Sequence, residues 1–213
     1  MKKMLALLLF VYPTCLFAQI GLKAGINFAN VTNASSINSS SRSGFHAGIF
    51  FGTPNTAIIG SKTELQFSRQ GYDYKSGINT GTVNLDYIVL PQFMAINITK
   101  YFQIQLGGQM AFLLNAKVDS SNSMSTGNAS YDKIMSYYNR FDYGFGGGVE
   151  IHPVKGLIIG ARINISMNSL YKDYSSEPGS GAPPSFIPKV DVKNNLFQFF
   201  AGWTFGKKSP KKK

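Results

Sequence analysis

The chain has 213 residues, a length at which a β-barrel commonly stays one undivided domain. With 22 glycines, 14% aromatic residues and only 15% charged residues, its composition argues against helical repeats and suits many short, tightly packed strands. The formal net charge of +11 is mostly a property of the ends: Lys2, Lys3, Lys207, Lys208, Lys211, Lys212 and Lys213 hold seven of the 21 basic residues, which leaves the body four basic residues in excess of its 10 acidic ones.

The first 18 residues have the form of a cleavable export signal. Lys2 and Lys3 give a charged start, Met4 to Val11 an apolar run too short for a spanning helix, and Leu16-Phe17-Ala18 a small residue before a cut. The expected mature chain begins at Gln19. The single cysteine, Cys15, falls inside this segment, and Tyr12-Pro13-Thr14 ahead of it lacks the small residues that lipoprotein processing needs. The mature chain is therefore expected to have no disulfide framework, thiol nucleophile or thiolate metal site.

Eight alternating segments follow. The first runs from about Ile20 to Val31, with Ile20, Leu22, Ala24, Ile26 and Phe28 on one face and Gly21, Lys23, Gly25 and Asn27 on the other. Period-two alternation of this kind marks a strand with two unlike faces. Thr32 to Arg42 is rich in Ser and Asn and reads as a loop. The second strand, about Ser43 to Gly52, sets Phe45, Ala47, Ile49 and Phe51 against Gly44, His46 and Gly48. After the turn at Thr53-Pro54-Asn55, the third runs from about Ile58 to Gly71, with Lys62, Glu64, Gln66 and Ser68 opposite Thr63, Leu65 and Phe67. Tyr72 to Thr82 is expected to be a loop.

The fourth segment, about Val83 to Ile98, gives no clear inward face, because Asp86 and Gln92 share theirs with Ile88, Leu90, Met94 and Ile96. Pro91 removes a ladder donor there and suggests a local bulge or break in pairing. Thr99-Lys100-Tyr101 turns the chain into a fifth strand. Phe102, Ile104, Leu106, Met110, Phe112 and Leu114 face one way, Gln103, Gln105, Gly107, Gln109, Asn115 and Lys117 the other, and Leu113 breaks the pattern. Val118 to Asn139 is a long polar loop. The sixth strand, Arg140 to His152, alternates Phe141, Tyr143, Phe145, Val149 and Ile151 with Arg140, Asp142, Gly144, Gly146, Gly148 and Glu150. Pro153-Val154-Lys155 leads to the seventh, with Leu157, Ile159, Ala161, Ile163, Ile165 and Met167 against Gly160, Arg162, Asn164, Ser166 and Asn168. Tyr171 to Val192, with four prolines, is a loop. The last strand, Asn195 to Phe205, puts Phe197, Phe199, Ala201, Trp203 and Phe205 on one side.

These segments are long enough to cross a bilayer as strands, about 9–11 residues each. Short connections alternate with long ones, which predicts an all-β, eight-stranded antiparallel up-and-down transmembrane β-barrel with long loops outside. A soluble carrier barrel would put the apolar faces inward. The glycines and charges of the polar faces favour the reverse, since small residues suit the crowded concave wall and enclosed ions can pair. The charges expected to line the lumen are Lys23, Lys62, Glu64, Arg140, Asp142, Glu150 and Arg162. Arg162 is expected nearly opposite Gly146, with Glu150 or Glu64 as partner. Eight strands enclose a space that side chains fill, so no open pore is expected. Phe28, Phe45, Phe141 and Tyr143 should form one aromatic belt, and Phe51, Phe102, Trp203 and Phe205 the other.

The stretches Gly21-Leu22-Lys23-Ala24-Gly25-Ile26-Asn27, Gly44-Phe45-His46-Ala47-Gly48, Glu64-Leu65-Gln66-Phe67-Ser68-Arg69-Gln70-Gly71 and Leu85-Asp86-Tyr87-Ile88-Val89-Leu90-Pro91 resemble the PorT-type outer-membrane β-barrel family. That resemblance implies an outer-membrane location and brings no catalytic residue. A member of the family serves a protein-secretion and gliding apparatus, which makes such a role one alternative. Residues after Phe205 depart from the usual ending of such barrels at a terminal aromatic.

The expected role is structural or interactive, with loops presented to an extracellular partner. The other expected partners are the bilayer and lipopolysaccharide of the outer membrane and the barrel-assembly machinery during insertion. No cofactor, metal or nucleic acid is expected, because the Lys-rich tail (207–213) lacks interleaved aromatics. His46 near Ser43 leaves a lipid-modifying hydrolase as a remoter alternative, without a carboxylate that spacing can assign. Glu64 and Glu150 read as members of interior ion pairs before they read as an acid–base pair. Gly146-Gly147-Gly148 has no following helix and is no phosphate loop.

Overall fold

A computed structural model of the chain describes residues 19–32, 39–54, 57–76, 79–120, 135, 137–172 and 192–205. The expected export signal, the Lys-rich tail and most of two long connections lie outside the described residues. Eight strands, β1 (Gln19–Thr32), β2 (Ser40–Gly52), β3 (Ile59–Ser76), β4 (Asn79–Asn97), β5 (Phe102–Ser120), β6 (Phe141–Ile151), β7 (Leu157–Ser166) and β8 (Lys193–Phe205), pair antiparallel with their sequence neighbours. β8 pairs back onto β1, from Ile20 opposite Phe205 to Thr32 opposite Lys193, and closes the barrel. Closure leaves no sheet edge, the condition for a sheet to sit in hydrocarbon. Gln19 and Phe205 lie at the same, proximal, end; the other end is called distal.

The faces are inverted relative to a soluble barrel. Leu106, Phe145 and Ile163 point outward and are 52%, 65% and 52% exposed, whereas Gln105, Glu150 and Arg162 point inward with 1% or less. All eight aromatics assigned to belts point outward, with Phe102 half-buried and the rest exposed.

The strands are unequal. β6 and β7 have 11 and 10 residues, whereas β3, β4 and β5 have 18, 19 and 19. About 9–11 residues cross a bilayer, so the β3–β5 sheet continues beyond the distal aromatic belt. This corrects the expected loop at Tyr72–Thr82: most of it is strand, with Ser76 paired to Asn79 across residues 77–78. Tyr72 and Tyr74 were read as loop because Gly and Asn punctuate that stretch; their side chains instead fill the distal lumen beside Val83, the expected start of the fourth strand. The connection is therefore short on the side where long loops were expected. At the proximal end, residues 53–58, 98–101 and 152–156 link the hairpins.

Outward polarity on these long strands switches at one level. On β3 it passes from Leu65 and Phe67 to Arg69, Asp73 and Lys75, and on β4 from Leu90 and Ile88 to Asp86 and Asn84. Phe67 pairs with Ile88 and Arg69 with Asp86, so the switch runs straight across the ladder. Inside, the order is reversed. Charged residues fill the proximal and middle lumen, and Tyr72, Tyr74, Val83, Leu85, Tyr87, Leu113 and Ala116 form an apolar core at the distal end. That is the pattern of a membrane barrel below and of a water-soluble sheet above.

β5 needs a bulge to follow this change. Asp86 faces Asn115 but Tyr87 faces Leu113, so β5 holds one residue more than β4 at this step. The extra residue shifts the period, so Leu113 and Ala116 are both buried while Lys117 is exposed. The expectation that Asn115 and Lys117 share the inward face of Gln103 is therefore corrected, while Leu113, ahead of the bulge, keeps the inward parity and is apolar because it belongs to the distal core. β4 keeps its register through Pro91, which faces inward and pairs with Gln109 on β5. On the β3 side the ladder passes from Thr63–Gln92 to Gln66–Val89, so the expected break in pairing falls at Pro91 and Leu90 without a bulge.

Candidate functional site

The middle of the lumen is built from side chains that face one another across the barrel. β3 supplies Lys62, Glu64 and Gln66 at every second position, as its pleat requires. Arg162 reaches from β7 on the opposite wall. Its Nη1 donates to Glu64 Oε2 at 2.8 Å and its Nη2 to Glu64 Oε1 at 2.9 Å, a two-pronged arrangement. Nη2 also donates to Gln105 Oε1 at 2.6 Å. Lys23 of β1 donates to Glu64 Oε2 at 2.9 Å. Lys62 donates to both oxygens of Glu150 on β6, each at 2.7 Å. Gln66 donates to Glu64 as well.

Three cations, Lys23, Lys62 and Arg162, thus share two carboxylates, Glu64 and Glu150, with all five buried. An enclosed cation without a full counter-charge is costly. Aromatic faces stand in for the missing anion: Lys23 Nζ lies 3.8 Å from the Phe200 ring centre, Lys62 Nζ 4.3 Å from Phe50, and the Arg162 guanidinium 4.0 Å from Phe93. These inward phenylalanines did not emerge from the sequence as site residues. Phe50 and Phe200 follow the period of their polar neighbours, and Phe93 sits on the segment with no clear inward face.

Glu64 is the Arg162 partner of the two proposed, and Glu150 takes Lys62. The backbone opposite Arg162 is Gly148, not Gly146. A Cβ at Gly148 would stand 3.0 Å from Arg162 Cα, while Gly146 leaves room for the Phe93 ring, 3.1 Å from where its Cβ would be. Of the remaining expected lumen charges, Asp142 is half-buried and accepts from Ser166 Oγ at 2.5 Å. Arg140 is a correction: it is exposed and precedes β6, whose ladder with β5 ends at Phe112–Phe141. Period two carried one residue too far placed it in the lumen.

His46 is buried, its Nδ1 2.7 Å from Asn27 Oδ1, and its ring stands edge-on to Phe200. Ser43 is exposed, three residues away and on the other face of the strand. The two side chains cannot act on one substrate from there, which removes the geometric ground for a Ser–His hydrolase. His152 lines a proximal recess of about 20 Å³ with Gln19, Lys62, Gln103 and Thr204. That volume holds about one water. Among the described residues no group of three or more His, Cys, Asp or Glu side chains could hold a metal ion.

Distally, residues from the connections complete the apolar core. Met135, Tyr138, Leu170, Tyr171 and Val192 pack on Tyr72, Tyr87 and Leu113. The Tyr72 and Tyr171 hydroxyls hydrogen-bond, Tyr138 bridges to Tyr171, and Leu170 N donates to Val192 O at 2.7 Å. Burial pushes the Tyr138 and Tyr171 phenols well above their ordinary value.

A closed eight-stranded barrel with a hydrocarbon-matched exterior and an ion-filled lumen is an outer-membrane barrel. Residues 13–172 match the sequence model of the family described as outer membrane protein beta-barrel domain, and the chain belongs to that family. Its location is the outer membrane. Solved structures to which it is similar include Ail, the attachment invasion locus protein of Yersinia pestis (14% identity, 88% of this chain and 99% of that chain, TM-score 0.48). Others are Neisserial surface protein A (14%, 88% and 99%, 0.47) and OprG of Pseudomonas aeruginosa (10%, 89% and 95%, 0.44). No curated protein matches the chain.

Proposed function

We propose that the protein is a non-conducting outer-membrane barrel that holds a rigid interaction platform above the membrane. The observation that carries this reading is the single level at which outward polarity switches on β3, β4 and β5 while an apolar core closes the lumen beneath. A sheet with a water-facing exterior and its own packed interior is costly to order, and a plain membrane anchor has no need of one. The platform faces outward, where the partners are extracellular molecules and lipopolysaccharide. The barrel-assembly machinery is its partner during insertion, which follows export by the cleavable segment ending at Ala18. No catalytic residue, cofactor or metal takes part.

The finer family assignment we favour is PorT-type. Lys23, Asn27, His46, Glu64, Gln66 and Ser68 of the motif stretches all line the lumen, so those motifs serve barrel packing. A secretion-apparatus role rests on that assignment, and normal cargo export by a deletion strain dismisses it.

The platform is tested by single cysteines at Lys75 and Lys117 labelled on intact cells with an impermeant maleimide. Both should label without permeabilisation, and reconstituted protein should show no steady conductance in a planar bilayer. Labelling only after permeabilisation, or a stable open channel, overturns the reading.

A further inference from the structure

We propose that the protein self-associates in the membrane, a second copy docking on the lipid-facing patch centred on Gln92. Among the described residues, the outward positions between the two aromatic belts are Leu, Ile, Val, Phe, Met, Ala or Gly at every strand except at Ser61, which pairs with Met94, and at Thr63 and Gln92. The last two are opposite each other on β3 and β4, and Thr63 Oγ1 donates to Gln92 Oε1 at 2.5 Å. Gln92 in turn pairs with Gly108 on β5, six residues from Phe102 and four from Phe112. At roughly 3.3 Å per residue and a tilt of about 40°, the β5 partner lies about 15 Å from Phe102 and about 10 Å from Phe112. On the other side Thr63 faces Phe51 of the proximal belt, so the amide sits between the belts and nearer the proximal one on the β2 side. Gln92 therefore lies on the hydrocarbon side of the proximal belt. Its two N–H groups have no partner among the described residues, and no water is there to serve them.

A second observation lies beside it. Most inward glycines are forced by the barrel: a Cβ at Gly107 would stand 2.7 Å from Phe93 Cα. A Cβ at Gly108, on the outward face, would meet only Gly144 O, at an ordinary 3.5 Å. Nothing inside the barrel requires a glycine there. It leaves a notch in the lipid-facing wall next to Gln92, flanked by Leu106 and Met110. Small residues at such a place let two membrane-embedded backbones approach closely.

The occupant that fits both features is the same patch of another copy. A carboxamide is complementary to itself: across a two-fold axis each Nε2 donates to the other Oε1, which still has a lone pair beside its bond to Thr63. A two-fold contact presents one surface to itself, so one glutamine per chain suffices. A lipid acyl chain would fill the notch but leave the amide unserved.

Association is measured by Förster transfer between labelled barrels in phospholipid vesicles over a range of protein-to-lipid ratios. The wild type should show a saturable dimer. Gln92→Leu should weaken it about tenfold, which is about 1.4 kcal/mol, and Gly108→Leu, which fills the notch, should weaken it at least as much. Both changes make the lipid face more apolar and leave the barrel folded, which heat-modifiable gel mobility checks. In outer membranes, Met94→Cys, on the same outward row as Gln92, should give disulfide-linked dimers, while Ile163→Cys on β7 and the wild type should not. Transfer no greater than random collision, unchanged association in Gln92→Leu, equal linking from Met94→Cys and Ile163→Cys, or linking of Met94→Cys only to other proteins overturns the proposal.

Discussion

Arg162 and Glu64 join opposite walls of the barrel. The guanidinium of β7 meets both carboxylate oxygens on β3 at 2.8 and 2.9 Å, and neither side chain is open to solvent. Because the two strands are not neighbours in the ring, the pair acts as a cross-brace that backbone pairing alone does not supply. Removing one member takes from the other its two-pronged counter-charge in low dielectric, at a cost of about 3–5 kcal/mol. Arg162→Ala should therefore lose about that much in urea unfolding of the vesicle-folded barrel. Glu64→Ala should lose more, since it leaves both Arg162 and Lys23 without their carboxylate. Replacing both, as Glu64→Leu with Arg162→Met, should cost less than Glu64→Ala alone, because only Lys23 is then left without its carboxylate. Single-variant losses below about 1 kcal/mol would show that the brace is not formed.

The polarity switch on β5 makes a depth-dependent prediction. Leu106 and Leu114 are both outward-facing leucines, 52% and 42% exposed. Leu106 lies in the middle of the apolar band, Leu114 at the bulge where the exterior turns polar. Leu106→Arg should destabilise the barrel by about 2–4 kcal/mol and Leu114→Arg by about 0–1 kcal/mol, measured by the same unfolding assay. Equal costs at the two sites would move the membrane boundary beyond the bulge.

The parts of this fold that were legible in the sequence are those where one period and one environment coincide. On β1, β6, β7 and β8 the outward residues meet lipid along nearly the whole strand, so Ile26, Phe145, Ile163 and Trp203 announce their face. β4 failed because its two ends sit in different solvents. Ile88, Leu90 and Met94 face lipid while Val83, Leu85 and Tyr87 face the distal core, so both faces look apolar. β5 failed beyond Leu113 because a bulge resets the period, and a bulge has no residue signature there. The pairing of ions was half legible. Strand faces put Glu64, Glu150 and Arg162 in one enclosed space, but the choice of Glu64 over Glu150 depends on barrel stagger, which no single strand encodes. Phe50, Phe93 and Phe200 were missed as cation partners because an inward phenylalanine next to charges contradicts simple alternation.

The distal core gives a pH dependence with a definite sign. Tyr138 and Tyr171 come from the connections, and burial holds both phenols well above the ordinary 10.0, with the neighbouring tyrosines adding to it. The folded platform thus keeps protons that the unfolded chain gives up once pH passes about 10. The stabilisation is complete below that pH and falls as pH rises beyond it. Ultraviolet phenolate absorbance should show Tyr138 and Tyr171 still protonated well above the ordinary 10.0. Tyr171→Phe, which removes the hydroxyl bound to Tyr72, should loosen the platform by about 1 kcal/mol without unfolding the barrel. Ionisation of all tyrosines in one step near the ordinary value would mean that the distal core is open to water.

The proximal rim depends on one glycine. Gly156, in the turn between β6 and β7, has a φ of +92°, which only glycine adopts readily. A Cβ there would also stand 2.9 Å from the Trp203 ring, and Gly156 O accepts from Thr204 N at 2.8 Å. The turn, the closing strand β8 and the belt tryptophan are therefore fixed together. Gly156→Ala should cost about 1–3 kcal/mol through backbone strain and should shift Trp203 emission as the ring moves aside. Lys155→Ala, one residue earlier and exposed, should change neither. A Gly156→Ala barrel with wild-type unfolding and emission would show that the turn relaxes freely and does not hold Trp203 in place.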